Sequence, residues 1–142
     1  MTPCLTPDEL NQFLRAAFPD RADQDLAQVL AVGPGHAQLR LVPGKANLRP
    51  GGIVSGPTLM GLADSAAYAV VLAHIGLVAM AVTSQLNYSF LRGCDFGPVT
   101  ADAQLLRLGR RLAVVDVRLW TSSAERPVGQ ASVTYAIPGA AQ

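Results

Sequence analysis

The chain is short of the residues that most directly announce a function. Its two cysteines, Cys4 and Cys94, are too few for a disulfide framework and stand in no spacing that adds histidines or a third thiol for a metal. Free thiols in a reducing cytoplasm are expected, with no metal. There are only two histidines, His36 at a strand start and His74 at a helix end, and neither has a nucleophile beside it, so a Ser-His-Asp arrangement has nothing to rest on. Positive charge is scarce as well: the formal net charge is +1, with single arginines and one Arg110-Arg111 pair in place of a basic stripe, which argues against nucleic acid. Asp8 and Glu9 stand where a signal peptide needs a basic region and an apolar core, so export is not expected. The long apolar run from Pro57 to Val82 is interrupted by Asp64, Ser65, His74 and two glycines. An Asp at a bilayer centre costs about 2.5–3.5 kcal/mol on insertion scales, and the run is not read as a membrane span.

What the chain has is apolar residues, 50% of its 142, enough for one core, and a single domain over residues 1–142 is expected. It is organised around Arg49 to Ile75, a glycine-rich turn opening into a long helix. Pro57 fits the first helical position, with Ser55 or Gly56 as N-cap, so the helix starts on free amides. From Pro57 to Ile75 it spans roughly 28 Å at the standard rise. Leu59, Met60, Leu62, Ala63, Ala66, Ala67, Val70, Val71 and Leu72 point in every direction around it, the pattern of a buried helix. Gly76 is the expected stop, with His74 near the carbonyl end, where partial positive charge is favoured.

Upstream, Thr6-Pro7-Asp8-Glu9 followed by Leu10, Phe13, Leu14, Ala17 and Phe18 predicts a capped amphipathic helix over about 7–18, ended by Pro19. Leu26 to Val32 and His36 to Val42, around Gly33-Pro34-Gly35, predict a hairpin. Downstream, Met80, Val82, Leu86, Tyr88 and Phe90 alternate with Ala81, Thr83, Gln85, Asn87 and Ser89, with only Ser84 breaking the apolar row. Further strands are predicted over Val99 to Leu108, Leu112 to Thr121 and Val128 to Ile137, and a loose tail after Pro138. Short connections require antiparallel pairing, and a helix apolar on all sides needs more than one covering layer. The expectation is an α+β fold, a curved antiparallel sheet of about six strands around one long helix, with a second subunit closing what the sheet leaves open.

This arrangement resembles the hotdog fold. Three stretches are similar to its acyl-CoA thioesterases, the phenylacetate-pathway (PaaI-like) branch: Arg49-Pro-Gly-Gly-Ile-Val-Ser-Gly-Pro57, Leu62-Ala-Asp64-Ser-Ala with the rest of the helix, and Thr83-Ser-Gln-Leu-Asn-Tyr-Ser-Phe-Leu91. With the later strands the resemblance covers about residues 26–138. It implies hydrolysis of a coenzyme A thioester, with a helix N-terminal amide polarising the carbonyl and a helix carboxylate acting as nucleophile or as base for water. By that resemblance Gly56 supplies the amide, Asp64 the carboxylate and Thr83 the hydroxyl of the next strand. The family's usual His-Gly-Gly is Ser55-Gly56-Pro57 here, its Asn or Gln six residues earlier is Arg49, and Asn47 lies close by but out of register.

The residues carry their own chemistry too. Gly56 can bring an uncapped amide close to developing charge, although an ordinary helix start has the same look, and Pro57 removes a second donor. Gly51 and Gly52 just upstream favour a ligand-facing turn. Asp64, alone in an apolar helix, is either a hydrogen-bond hub or a working carboxylate. Gly56 and Asp64 are eight positions apart, about 12 Å along the axis, so they cannot both reach one carbonyl within a single helix. If both act, Asp64 comes from a neighbouring subunit, which demands a dimer, alone or within a tetramer, with composite sites. Thr83, Gln85 or Asn87 could hold water or orient Asp64, and Ser55 could donate to the acyl group or simply cap. Arg49, Arg92, Arg110 and Arg111, all in predicted turns, are candidates for coenzyme A phosphates, with solvated turn charges as the plainer alternative. Tyr88, Phe90 and Trp120 are read as core or interface. No cofactor is expected beyond the coenzyme A of the substrate. The rivals are a non-catalytic acyl-CoA binding protein and an acyl-thioester hydratase or dehydratase, the latter disfavoured because no histidine stands in the glycine turn.

Overall fold

The computed structural model describes residues 1–139; the tail expected to be loose falls, beyond Gly139, outside the described residues. The chain opens with α1, Pro7–Ala17, begun by a reciprocal capping box: the Glu9 amide donates to the Thr6 hydroxyl at 3.2 Å, and the Thr6 amide donates to Glu9 Oε1 at 3.0 Å. Strands β1, Gln28–Gly33, and β2, His36–Leu41, form the expected hairpin. Next come two short strands in the glycine turn, β3, Leu48–Arg49, and β4, Ile53–Val54, paired across Gly51 and Gly52 at positive φ of 102° and 74°. The sequence reading missed this pair, because two-residue strands are too short to show a period. Then follow α2, Gly56–Ile75, and strands β5, Val82–Phe90, β6, Val99–Leu108, β7, Leu112–Trp120, and β8, Gly129–Ala136.

Six strands pair antiparallel in the order β1-β2-β6-β7-β8-β5, and α2 packs against all of them, the wrapped arrangement the sequence led us to expect. Period-two alternation builds the inner face: Leu39, Ala101, Ala103, Val115, Val117, Leu119, Ala131 and Val133 are all at 0% exposure. The many alanines among them let the helix approach closely. By length and composition α2 could cross a bilayer, but most of it is buried inside this fold.

Four details differ from expectation. Ser55 is the N-cap and Gly56, not Pro57, is the first helical residue; Ser55 gives its hydroxyl proton to Thr58 Oγ1 at 2.9 Å and caps no amide. His74 lies in the last turn of the helix, as expected, but does more than face its carbonyls. Its Nε2 accepts the Gly35 amide at 2.9 Å while Nδ1 donates to the Val70 carbonyl at 2.8 Å, a neutral imidazole stapling the β1–β2 turn to α2. The open surface of α2 is also smaller than expected. From Ala66 to Ala73 every residue is buried, with Phe13 and Phe18 against Tyr68 from the far side and the Cys4 amide on the Ala73 carbonyl. Only the first half of the helix shows an uncovered side.

The fourth difference is in β5. Its register slips between Thr83 and Gln85, so Ser84 is a bulge. Pairing with β8 then puts Thr83 opposite Tyr135, Leu86 opposite Val133 and Tyr88 opposite Ala131, all toward α2, while Val82, Gln85 and Asn87 face away. The expected row of Met80, Val82, Leu86, Tyr88 and Phe90 is therefore broken at the bulge. Thr83 parts company with Gln85 and Asn87.

The two edges of the sheet are treated differently. On β1, Asn11 of α1 takes the place of a strand: its Nδ2 donates to the Val29 carbonyl at 2.9 Å and its Oδ1 accepts the Val29 amide at 2.7 Å. The β5 edge has no such cover among the described residues, and Val82 and Phe90 are 51% and 56% exposed.

Candidate active site

Asp64 sits half-buried in the third turn of α2, on the rim between its sealed and open halves. Its Oδ1 accepts two hydrogen bonds, from the Thr83 hydroxyl at 2.6 Å and from the Tyr135 hydroxyl at 2.8 Å; the latter is also 3.2 Å from Asp64's own carbonyl. Oδ2 has no partner among the described residues. Asp64 lines a cleft of about 340 Å³ with Arg21, Asp25, Pro57, Gly61 and Ser65. The bulge at Ser84 makes this arrangement possible, since it turns Thr83 inward beside Tyr135.

Tyr135 is a member of the site that the sequence did not single out. It is 4% exposed, and its ring stacks on Tyr68 with centroids 5.7 Å apart. Burial first, and then the negative charge of Asp64, push its phenol well above the ordinary range, so it keeps its proton and remains a donor. Only the pairing of β5 with β8, strands not consecutive in sequence, brings Tyr135 to Thr83.

The second cluster lies at the other end of β5. The Gly56 amide is the first of α2 and no side chain caps it. A Cβ on Gly56 would stand 3.1 Å from the Phe90 ring, so only glycine fits here without displacing it. A cleft of about 480 Å³ opens beside it, lined by Arg49, Ile53, Phe90, Arg92 and Cys94. The Cys94 thiol is pushed up to about 11 by burial and by the Asp95 charge, which leaves it a protonated, unreactive wall.

The remaining candidates sort themselves by place. Asn47, 6% exposed, is held internally: its Oδ1 accepts the Gly44 amide, and its Nδ2 donates to Asp25 Oδ1 at 2.6 Å and to Thr58 Oγ1 at 3.2 Å. It braces the start of α2. Gly52 is an exposed turn residue. Arg49 and Arg92 stand at the Gly56 end, whereas Arg110 and Arg111 occupy the β6–β7 turn, which the pairing of both Val82 and Leu112 with Ala136 places at the Asp64 end. Among the described residues, no three of His, Cys, Asp and Glu gather as a metal site.

Residues 51–128, more than half of the chain, match the family described as the thioesterase superfamily. A crystal structure of a "putative thioesterase" from Silicibacter is 40% identical, with a TM-score of 0.86, and covers 97% of this chain and 95% of that one. The phenylacetic acid degradation protein PaaI of Thermus thermophilus, in a mutant form, is 26% identical with a TM-score of 0.69, over 79% of this chain and 93% of its own. A "putative esterase" of Thermoplasma acidophilum is 33% identical over 91 residues, 63% of this chain and 67% of that protein.

Proposed function

The chain belongs to the thioesterase superfamily, and from that premise we propose that it hydrolyses an acyl-CoA thioester in composite sites formed by two copies of itself. One observation carries the assembly. Within a single chain Gly56 lies against Phe90 and Asp64 against Thr83, at opposite ends of β5, the edge of the six-stranded sheet that no strand pairs among the described residues. Two β5 edges paired antiparallel about their middle, near Leu86, bring the Phe90 end of one copy beside the Thr83 end of the other. Each pairing thus sets one copy's Gly56 amide against the other's Asp64, twice. The same operation unites Arg49 and Arg92 of one copy with Arg110 and Arg111 of the other, supplying cations for the phosphates of coenzyme A.

The chemistry follows from these parts. The Gly56 amide, backed by the helix dipole, stabilises the oxyanion that forms on the thioester carbonyl. Asp64 either attacks the carbonyl carbon itself or takes the proton of an attacking water. The C–S bond breaks, the thiolate of coenzyme A leaves and is protonated, and the free acid follows, by hydrolysis of the acyl-Asp64 anhydride in the first case. Ser55 has given its proton to Thr58 and is free only as an acceptor toward substrate. Carboxylate, amide and water suffice for the reaction, so no metal or redox cofactor is invoked. The free thiols of Cys4 and Cys94 suit a cytoplasmic setting.

The test is thiol release from short, medium, long and aryl acyl-CoAs by the wild type, Asp64→Ala, Gly56→Val, and an unfolded-and-refolded mixture of the two variants. Each variant alone should be inactive. A statistical mixture should recover about a quarter of wild-type activity, because half of its dimers carry one intact site. No recovery, with both variants folded and dimeric, rejects the composite site; binding of coenzyme A without turnover by the wild type selects the non-catalytic reading.

A further inference from the structure

We infer that Tyr135 is a positioning residue which, together with Thr83, saturates Oδ1 of Asp64 and leaves Oδ2 as the single oxygen that meets substrate or water. This rests on the hydrolytic role of Asp64 and deepens it. An aspartate on a helix turns about its side-chain bonds, and its two oxygens are chemically alike until the surroundings distinguish them. Here both donors, at 2.6 and 2.8 Å, aim at the same oxygen, while the other has no partner among the described residues and Asp64 lines the cleft. Tyr135 is itself held in place. It is paired in register with Thr83, its ring stacks on Tyr68, and the Tyr68 hydroxyl donates to the Ala79 carbonyl at 3.0 Å. Phe13 and Phe18 back Tyr68 in turn. The phenol cannot follow a carboxylate that rotates, so it fixes which oxygen faces outward. Fixing a reacting atom to within a fraction of an ångström is worth orders of magnitude in rate.

Tyr135→Phe keeps the ring and the stack and removes only the donor. The expected result is a fall in kcat of about ten- to a hundredfold with KM changed by no more than about twofold, in a protein that still folds and assembles. In an Asp64→Asn background the same change should slow the residual rate no further, because Tyr135 acts only through the carboxylate. A second readout needs no tyrosine variant: the wild-type minus Asp64→Asn infrared difference should show a wide splitting of the carboxylate stretches, as for an anion hydrogen-bonded on one oxygen. A narrow splitting overturns the inference even if Tyr135→Phe fails to fold. Wild-type kcat in Tyr135→Phe, beside an inactive Asp64→Asn, overturns the role of Tyr135 alone; full activity in Asp64→Asn removes the hydrolytic reading beneath it.

Discussion

The two halves of α2 are built from similar residues and live in different surroundings. From Ala66 to Ala73 every residue except Tyr68 is at 0% exposure, enclosed by the sheet on one side and by α1 and the segment after it on the other. From Gly56 to Ser65, Leu59, Leu62 and Ala63 are buried while Pro57, Met60 and Gly61 face outward. The sealed half holds the fold together, and the open half carries the candidate site. Asp64 sits at the junction, where one of its oxygens can be held by protein and the other stay free. One helical turn further on, at Ala67 or Tyr68, both oxygens would be buried, and an ionised carboxylate there would cost several kcal/mol without a full set of donors.

The comparison predicts unequal tolerance. Leu72→Ala should destabilise the chain by about 2–5 kcal/mol in urea unfolding, the range for a large core side chain lost without collapse. Met60→Ala, at dilutions where single chains prevail, should stay within about 0.5 kcal/mol of wild type. A large cost for Met60→Ala that grows with protein concentration would show the open half covered by a second copy, which sharpens the contrast; equal costs at every concentration would break it.

Asn47 tests the contrast from the other direction, because it gives the open half one rigid polar anchor. Asn47→Leu keeps a similar volume but strands the Gly44 amide and releases Asp25 and Thr58. The expected loss is about 1–3 kcal/mol by chemical denaturation, the usual cost of an orphaned buried donor. An effect near zero would mean that water reaches this network freely and that the start of α2 is not braced by it.

How much of this could be read from the sequence depended on how far apart the cooperating residues lie. The helix bounded by Ser55-Gly56-Pro57 and Gly76 and the strands of regular alternation were legible because each carries its own period. Asp64 stood out because a lone acid among apolar neighbours demands a reason. Tyr135 did not, because an aromatic residue on the apolar face of a strand looks like core until β5 is laid beside β8. The bulge did leave a mark: Ser84, the one polar residue in an otherwise apolar row, is the position where the row changes face. Alternation reports which side a residue takes only while the register runs unbroken. The capping role foreseen for Ser55 failed: its hydroxyl turns to the Thr58 hydroxyl and accepts no helix amide. His74 does meet a helix carbonyl near the end of α2, as foreseen, but the β1–β2 turn amide that its other nitrogen accepts could not be read from the sequence.

Gly61 gives the smallest and most discriminating test. It lies inside α2 on the open half, borders the Asp64 cleft, and a Cβ added there would meet nothing within 4 Å. In a helix interior glycine is about 1 kcal/mol worse than alanine, so within one chain its presence is a cost with no structural return. Gly61→Ala should therefore stabilise the isolated chain by about 0.5–1 kcal/mol, seen as a higher Tm. If substrate or the second copy approaches the bare backbone at this point, the same change should slow thiol release. A higher Tm with slower turnover places a ligand or partner over the open half; a higher Tm with unchanged turnover leaves that face to solvent and moves the acyl group to the Phe90 side of the helix. A lower Tm that recovers on dilution would mean that the second copy packs against Gly61 directly, and that what distinguishes the two halves of α2 is which chain covers them.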